Sequence, residues 1–405
     1  MEDRRTAMKY SIVIPSTRPK LLKQALGTIE KQTCDSDFEV CVFANGSLGQ
    51  TRDIVNNSKI KNIKLAGVSP NEKLGMIESW NKALALASGE YVTLIGDDDG
   101  LTANAVELWN LSIDNNPDDI DVVALAAVWY GHKGLKSGKN RENSVKWDRV
   151  WPNKVFIYES EFVINELYNF RRPIFSQTHI LFRNNENVCA GPMFPDYHIC
   201  LKALASARKV LTNFVPTIIH GYSDDSSAEL LLSKRNLKEK WTVSGQKNPI
   251  QLSPFSSHTF TNGWLETSLI CKIKYDYFRD YDPNMLNFLV NHIRDIQAET
   301  LERDTTDHVK EIRDYYDKQI KPMNLEGEEL EVKKSIALMI KRLEILVSVK
   351  AWESYCRGLF NDWHTMEGVN SIVDLSDKIA ENWIMHFTVI NLLEREESKI
   401  NKPSS

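Results

Sequence analysis

Three consecutive carboxylates, Asp97, Asp98 and Asp99, follow the apolar run Tyr91-Val92-Thr93-Leu94-Ile95 and are bracketed by Gly96 and Gly100. A short β-branched and apolar run bounded by glycines reads as a buried strand, and open α/β sheets place their ligands where such strands end. Three adjacent acids repel one another unless a cation sits among them. Hard oxygen donors suit Mg²⁺ or Mn²⁺, and either ion then neutralises a phosphate-bearing ligand. The competing account is a solvated acidic turn or a helix N-terminus, where aspartate is also favoured.

The elements that would position these acids are spelled out upstream. Tyr10-Ser11-Ile12-Val13-Ile14 predicts a first strand stopped by Pro15, and Ser16-Thr17-Arg18-Pro19 opens a helix with Leu21, Leu22, Ala25, Leu26 and Ile29 on one stripe. Phe38 to Phe43 predicts a second strand ending in the turn Asn45-Gly46-Ser47, and Ile63 to Ala66 a weaker third. A helix through Met76, Ile77, Trp80, Ala83, Leu84 and Leu86 delivers the chain into the acidic strand, with Trp80 read as core. This alternation predicts βαβ units around a parallel sheet whose strands all end on polar residues at one edge.

Downstream, a helix is expected over Leu101 to Trp109 and strands over Val122 to Val128, Ile174 to Phe182, Val210 to Phe214 and Thr217 to Ile219. Tyr130 to Trp151, with Gly131, Gly134 and Gly138, reads as a long loop able to act as a lid. Pro195-Asp196-Tyr197 opens a helix through Ile199, Leu201, Ala203 and Leu204. Beyond about Ala228 the pattern becomes helical, as in Ser335 to Trp352 and Asp377 to Leu393, with Trp352, Trp363 and Trp383 as packing residues. Charge blocks at Glu326 to Lys334 and Glu394 to Lys399 read as solvated. Two domains are therefore expected, at 1–228 and 229–405, consistent with a chain of 405 residues.

Composition narrows the class. Hydrophobic residues at 42% and charged residues at 26% suit a globular protein, and a net charge of -5 argues against nucleic-acid binding. The six cysteines form no Cys-x-x-Cys pair, which suits a reducing cytoplasm. No leader-like segment and no run of the ~18 to 20 apolar residues of a membrane span is read, so a cytoplasmic location is expected.

Taken in order, Ile12 to Pro19, Phe38-Glu39-Val40 with Asn45-Gly46-Ser47, Asn81-Lys82-Ala83, Ala87 to Tyr91 and Gly96 to Asp99 resemble the inverting family 2 glycosyltransferases over residues 9 to 228. The resemblance implies a GT-A fold, a Rossmann-like, mostly parallel sheet flanked by helices, here followed by an α-helical C-terminal domain. It implies a nucleotide-diphosphate sugar donor, UDP being the common nucleotide, and an Mn²⁺ or Mg²⁺ ion. Pro15, Thr17 and Arg18 would line the nucleotide pocket, Asn45 and Ser47 would meet the base and ribose, and Asn81 matches a polar donor-site position. The chain departs from the family at Ala44, where many members carry an aspartate that reads the base, and at Gly96, where many carry the first acid of Asp-x-Asp. With the cluster slid by one place, Asp97 would face ribose or sugar while Asp98 and Asp99 hold the metal; the register with Asp97 and Asp99 as the pair stays open.

Asp196 is the expected base for the acceptor hydroxyl, since Pro195-Asp196-Tyr197 is similar to the family's acidic motif, with capping of its helix as the competing account. His220 is a candidate to complete the metal shell or donate to a phosphate oxygen, against a purely structural role. Arg18 is favoured over Arg171 and Arg172 as a phosphate partner because it lies inside a motif. The expected reaction moves a sugar to a glycan, lipid-linked or protein acceptor, in polysaccharide or glycoconjugate synthesis. A sugar-1-phosphate nucleotidyltransferase is the first alternative, although the loop after strand one is not glycine-rich; a non-catalytic sugar-binding protein is the second. For the helical half, homo-oligomerisation, acceptor recognition and peripheral docking on the inner membrane face all remain open. The stripe Lys333, Lys334, Lys341 and Arg342 suits a solvated face or anionic lipid.

Overall fold

The computed structural model describes residues 8–34, 38–116, 119–132, 144–146, 155–170, 179–223, 250–300, 305–348 and 364–365. Arg171, Arg172, Trp352, Trp363, Trp383, the segments Asp377 to Leu393 and Glu394 to Lys399, most of the glycine-bearing loop and the expected 228/229 boundary lie outside these residues.

Strand β1 (Tyr10–Ser16) leads into helix α1 (Pro19–Ile29), then β2 (Phe38–Asn45), α2 (Leu48–Asn56), β3 (Ile63–Val68), α3 (Met76–Leu84) and β4 (Tyr91–Leu94). Strand order β3-β2-β1-β4 is parallel throughout, as the alternating pattern requires. Side-chain alternation explains why both faces of β1 are covered. Ile12 and Ile14 point into one apolar cluster with Leu22, Leu26 and Trp109, and Val13 points into another with Ala83 and Leu94. Each such buried aliphatic side chain contributes roughly 1.5–3 kcal/mol.

Beyond β4 the expectation of a mostly parallel sheet needs correction. After the two-residue strand β5 (Gly100–Leu101) and helix α4 (Ala105–Asp114) come β6 (Val122–Gly131), β7 (Ser144–Lys146), β8 (Phe156–Glu159), α5 (Ser160–Tyr168) and β9 (Ile180–Arg183). Strand β9 is inserted between β4 and β6 and runs antiparallel to both. Helix α6 (Pro195–Ala205) then leads to β10 (Lys209–Tyr222), one long strand where two short ones were expected. It runs parallel to β6 and antiparallel to β5 and β8, with register shifts between Asn213 and Ile218 around Pro216. Leu101 therefore belongs to a strand, not to the helix predicted from its spacing.

The described C-terminal helices are α7 (Phe260–Lys274), α8 (Met285–Thr300), α9 (Thr306–Tyr315) and α10 (Gly327–Ser348). Thr259 caps α7 by accepting the Asn262 N–H at 3.1 Å. Glu266, buried in α7, accepts the backbone N–H groups of Gln251, Leu252 and Ser253 and so fixes the strand-free segment before the helix. Trp264 packs on Phe170 and Tyr197, and one apolar cluster continues from Val13 in the sheet to Leu343 in α10. The charge block from Glu328 to Lys334 lies within α10. Lys334, Lys341 and Arg342 are exposed on it, while Lys333 donates to the carbonyls of Lys321 and Met323. Among the described residues no helix is long and apolar enough to cross a membrane.

Candidate functional site

The turn after β4 buries all three aspartates: Asp97, Asp98 and Asp99 are 3%, 7% and 4% exposed. A solvated acidic turn is thereby ruled out. Buried carboxylates need donors or cations, and each of the three meets a different set. Asp97 turns back to the β1–α1 loop, where Oδ2 accepts the Ser16 hydroxyl at 3.0 Å and the N–H groups of Thr17 at 3.0 Å and Arg18 at 2.9 Å. Its Oδ1 accepts Arg18 Nε at 2.9 Å and is also bonded by Arg18 Nη2. Both oxygens are thus committed to the loop, where the sequence suggested ribose or sugar. Asp98 Oδ1 is 2.9 Å from Arg18 Nη2 and its Oδ2 accepts the Ser223 hydroxyl at 2.8 Å. Burial pushes the Asp98 carboxyl up against the pull of Arg18, and the neighbouring acids add to the rise.

Asp99 faces the other way, toward two histidines. Its Oδ2 accepts the Gly96 N–H at 2.7 Å and its Oδ1 the Gly221 N–H at 2.9 Å, so two backbone donors fix its orientation. His220 Nδ1 lies 3.1 Å from Oδ1, His179 Nε2 lies 3.6 Å from Oδ2, and the two ring nitrogens are 3.3 Å apart. Burial alone would raise the Asp99 carboxyl, but His220 and His179 outweigh it and hold it well below the usual carboxylate range. Burial lowers both imidazoles; the carboxylates around His220 reverse that and raise it, whereas His179 stays lowered.

A divalent ion with donors at about 2.1 Å holds adjacent donor atoms about 3.0–3.4 Å apart. His220 Nδ1 lies 3.1 Å from Asp99 Oδ1 and 3.3 Å from His179 Nε2, within that spacing, while His179 Nε2 lies 3.6 Å from the other Asp99 oxygen, just outside it, and one ligand atom from each of the three residues can be chosen within 4.8 Å of the others. The sequence points to Asp98, Asp99 and His220 as metal residues. The fold gathers Asp99 and His220, adds His179, and turns the Asp98 carboxylate toward Arg18 and Ser223. His179 is absent from the sequence reading: it is one polar residue in a strand-like run, and only that polarity marks it.

Two glycines make room for this arrangement. A Cβ on Gly96 would lie 2.7 Å from Asp98 Oδ1 and 3.1 Å from Asp99 Oδ2, so any side chain there displaces the acids beside it. A Cβ on Gly221 would lie 1.8 Å from the Asp98 carbonyl oxygen and 2.6 Å from His132 Nε2. His132 in turn contacts that same carbonyl at 2.7 Å.

Asp196 stands in the first turn of α6, half-buried, with Oδ1 accepting the Tyr197 N–H at 2.9 Å. It lines a cavity of about 10 Å³ with Leu94, Ile180, Phe182 and Ile199. Burial raises its carboxyl, and His179 and His220 are close enough to pull it partly back. The turn that delivers it holds Met193 at φ 74°, a left-handed conformation that costs a non-glycine residue of order 1–3 kcal/mol.

The expected donor residues divide into braces and free groups. Asn45 is buried and exchanges two hydrogen bonds with the Leu74 backbone at 2.8 and 2.9 Å, and Asn81 does the same with Ala190 at 2.8 and 3.1 Å. Pro15 is buried within β1 opposite Phe43. Thr17 is exposed and Ser47, half-buried, makes a 3.2 Å hydroxyl contact with Thr51 at the start of α2. Ala44 is fully buried, and a Cβ on Gly67 would come within 2.8 Å of its methyl group. The two neighbours pack closely.

Two curated relatives match short stretches. The GalNAc(5)-diNAcBac-PP-undecaprenol beta-1,3-glucosyltransferase of Campylobacter jejuni is 32% identical over 100 residues, 24% of this chain and 32% of its own length. The PGL/p-HBAD biosynthesis glycosyltransferase of Mycobacterium bovis is 30% identical over 96 residues, 24% of this chain and 37% of its own. The chain thus spans about a third of these relatives' lengths. A crystal structure of S. aureus TarS 1-349 in complex with UDP-GlcNAc superposes with a TM-score of 0.44 at 15% identity, covering 83% of this chain and 92% of that one. Residues 11–182, which hold the first four strands, the acidic turn and His179, match the Glycosyl transferase family 2 model.

Proposed function

We propose that the protein moves a sugar from a nucleotide-diphosphate sugar to an acceptor hydroxyl with inversion at the anomeric carbon. The observation that carries this reading is the convergence of the acidic turn, His220, His179 and Asp196 from four separate elements on one edge of the sheet. Asp196 takes the acceptor proton as the acceptor oxygen bonds the anomeric carbon, and the bond from that carbon to the diphosphate oxygen breaks, releasing the nucleoside diphosphate. Burial that raises the Asp196 carboxyl also makes its carboxylate a stronger base. Asp99 and His220 are the residues we assign to a divalent ion, Mn²⁺ or Mg²⁺; when bound, it would neutralise charge on the leaving diphosphate.

Thr17 and Ser47 are assigned to direct donor contact, and the Arg18 guanidinium, paired with Asp97, Asp98 and Ser223, holds the acidic turn beside the donor. Pro15, Asn45, Asn81 and Asp97 shape the donor pocket by holding the loops around it. UDP is the favoured nucleotide by family resemblance. The Campylobacter relative is named for a lipid-linked glycan, and we assign this protein a glycan or lipid-linked acceptor, met at the cytoplasmic face of the membrane.

The test is a panel of nucleotide sugars, read by sugar transfer to glycan and lipid-linked acceptors and by calorimetric binding of UDP and GDP, with the wild type and Asp196→Asn. Transfer should fall about 10²–10⁴-fold in the variant while nucleotide binding is kept. Binding of neither nucleotide, or full transfer by Asp196→Asn, overturns the assignment.

A further inference from the structure

We propose that His179 is a protein ligand of the divalent ion, so that one carboxylate and two imidazoles make this a transition-metal site that prefers Mn²⁺ over Mg²⁺. The inference rests on the metal-assisted transfer proposed above and adds its selectivity. Three observations support it. The nitrogen His179 turns toward Asp99 also faces His220 Nδ1, and one donor atom from each of the three residues lies within 4.8 Å of the other two. The rings are held before any ion arrives: His220 packs edge-on against Trp129 at 4.6 Å and Tyr222 at 5.4 Å, and His179 meets His220 edge-on at 4.9 Å. His179 is 2% exposed, so its imidazole has little water to compete for the ion.

Chemistry then sets the preference. Mg²⁺ seeks near-ideal octahedral oxygen coordination and dehydrates reluctantly, whereas imidazole nitrogen suits later divalent metals of the first transition row. A site with two imidazole nitrogens, that of His179 buried, and one carboxylate penalises Mg²⁺ more than Mn²⁺. With His179 removed, the remaining carboxylate and single imidazole discriminate less.

The full chain is titrated with Mn²⁺, read by electron paramagnetic resonance, and with Mg²⁺ in competition, each with and without UDP. Co²⁺ is followed by its visible absorption. Wild type, His179→Ala, His179→Gln and Asp99→Asn are compared, with circular dichroism melts to establish that each is folded. Mn²⁺ should bind the wild type at least about tenfold more tightly than Mg²⁺, and both His179 variants should lose about tenfold or more of Mn²⁺ affinity with little change for Mg²⁺. The Co²⁺ spectrum should change in the same variants. Asp99→Asn should weaken both ions. An unchanged Mn²⁺/Mg²⁺ ratio and Co²⁺ spectrum in folded His179 variants overturns the role of His179 and leaves the metal reading standing. If neither ion binds the wild type in either condition, both readings fall.

Discussion

Arg18→Met removes a cation from two buried carboxylates while keeping most of the side-chain volume, and its cost can be worked from the geometry. Arg18 Nε is 2.9 Å from Asp97 Oδ1, Nη2 is 2.9 Å from Asp98 Oδ1, and Nη1 donates to Ser223 at 2.5 Å. Breaking a fully buried ion pair costs about 3–5 kcal/mol, because the surviving charge is left without a partner. The Arg18 side chain is 23% exposed, which admits some water and screens the loss, and Asp97 keeps three donors from Ser16, Thr17 and Arg18 N–H. About 2–3 kcal/mol at neutral pH is therefore expected. The sign with pH follows from Asp98. Burial already raises its carboxyl and Arg18 opposes that rise, so in Arg18→Met it takes up a proton at higher pH than in the wild type. Protonation relieves the buried charge, and the stability gap between variant and wild type must shrink as pH falls from 7.5 toward 5. Urea midpoints at both pH values read this directly. A gap below about 0.5 kcal/mol at pH 7.5, or one that stays constant on acidification, would refute the reasoning.

Three further outcomes follow from other contacts. Gly221→Ala should destabilise the chain by about 1–3 kcal/mol and abolish Mn²⁺ binding, since the new Cβ meets the Asp98 carbonyl at 1.8 Å and β10 must move; thermal melts and metal titration check it, and a wild-type melting point would contradict it. If Asp196 is the base, kcat/KM loses its activity on acidification at a pH above the ordinary carboxylate value of 3.8, because burial raises that carboxyl; an acidic limb below 3.8 removes Asp196 from the role. Glu39 is buried, accepts from Ser11 and Ser88, and pairs with Lys64 at 2.8 Å; these donors overcome its burial and lower it from 4.5 to about 2. Its contribution is present above pH 4.5 and lost as pH falls toward 2, so the stability gap to Glu39→Gln should close over that window and nowhere above it.

Local rules make part of this molecule readable from its residues. Alternating apolar positions in β1, β2 and β4 and the apolar stripe of α1 follow from side-chain periodicity alone, and they place Ser16, Asn45 and the acidic turn at one sheet edge. The same rules mislead at Leu101, whose spacing to Ala105 and Leu108 is helical, because pairing of Gly100 and Leu101 with Ile219 and Ile218 outweighs local preference. Polar residues at strand ends are also ambiguous. Asn45 and Asn81 have the composition of ligand contacts, yet each spends its amide on a neighbouring backbone segment. Nothing local marks Arg18 as the partner of Asp97 and Asp98, some eighty residues away.

The least legible feature is the most consequential, and strand direction explains why. A parallel strand brings its last residues to the ligand edge of the sheet, so Asp97 to Asp99 after β4 and His220 near the end of β10 arrive there by the ordinary rule. An antiparallel strand brings its first residues to that edge instead. Because β9 runs against both β4 and β6, the residue just before Ile180 is carried to the acidic turn, and that residue is His179. Had β9 been parallel, His179 would lie at the opposite edge and Arg183 would face the acids. Pairing of β5 with β10 sets the last contact, aligning Gly100 with Ile219 so that Asp99 and His220 come next in the ladder. The donor set of one carboxylate and two imidazoles is thus a consequence of sheet topology: a mostly parallel sheet would bring Asp99 and His220 to this edge and leave His179 at the other.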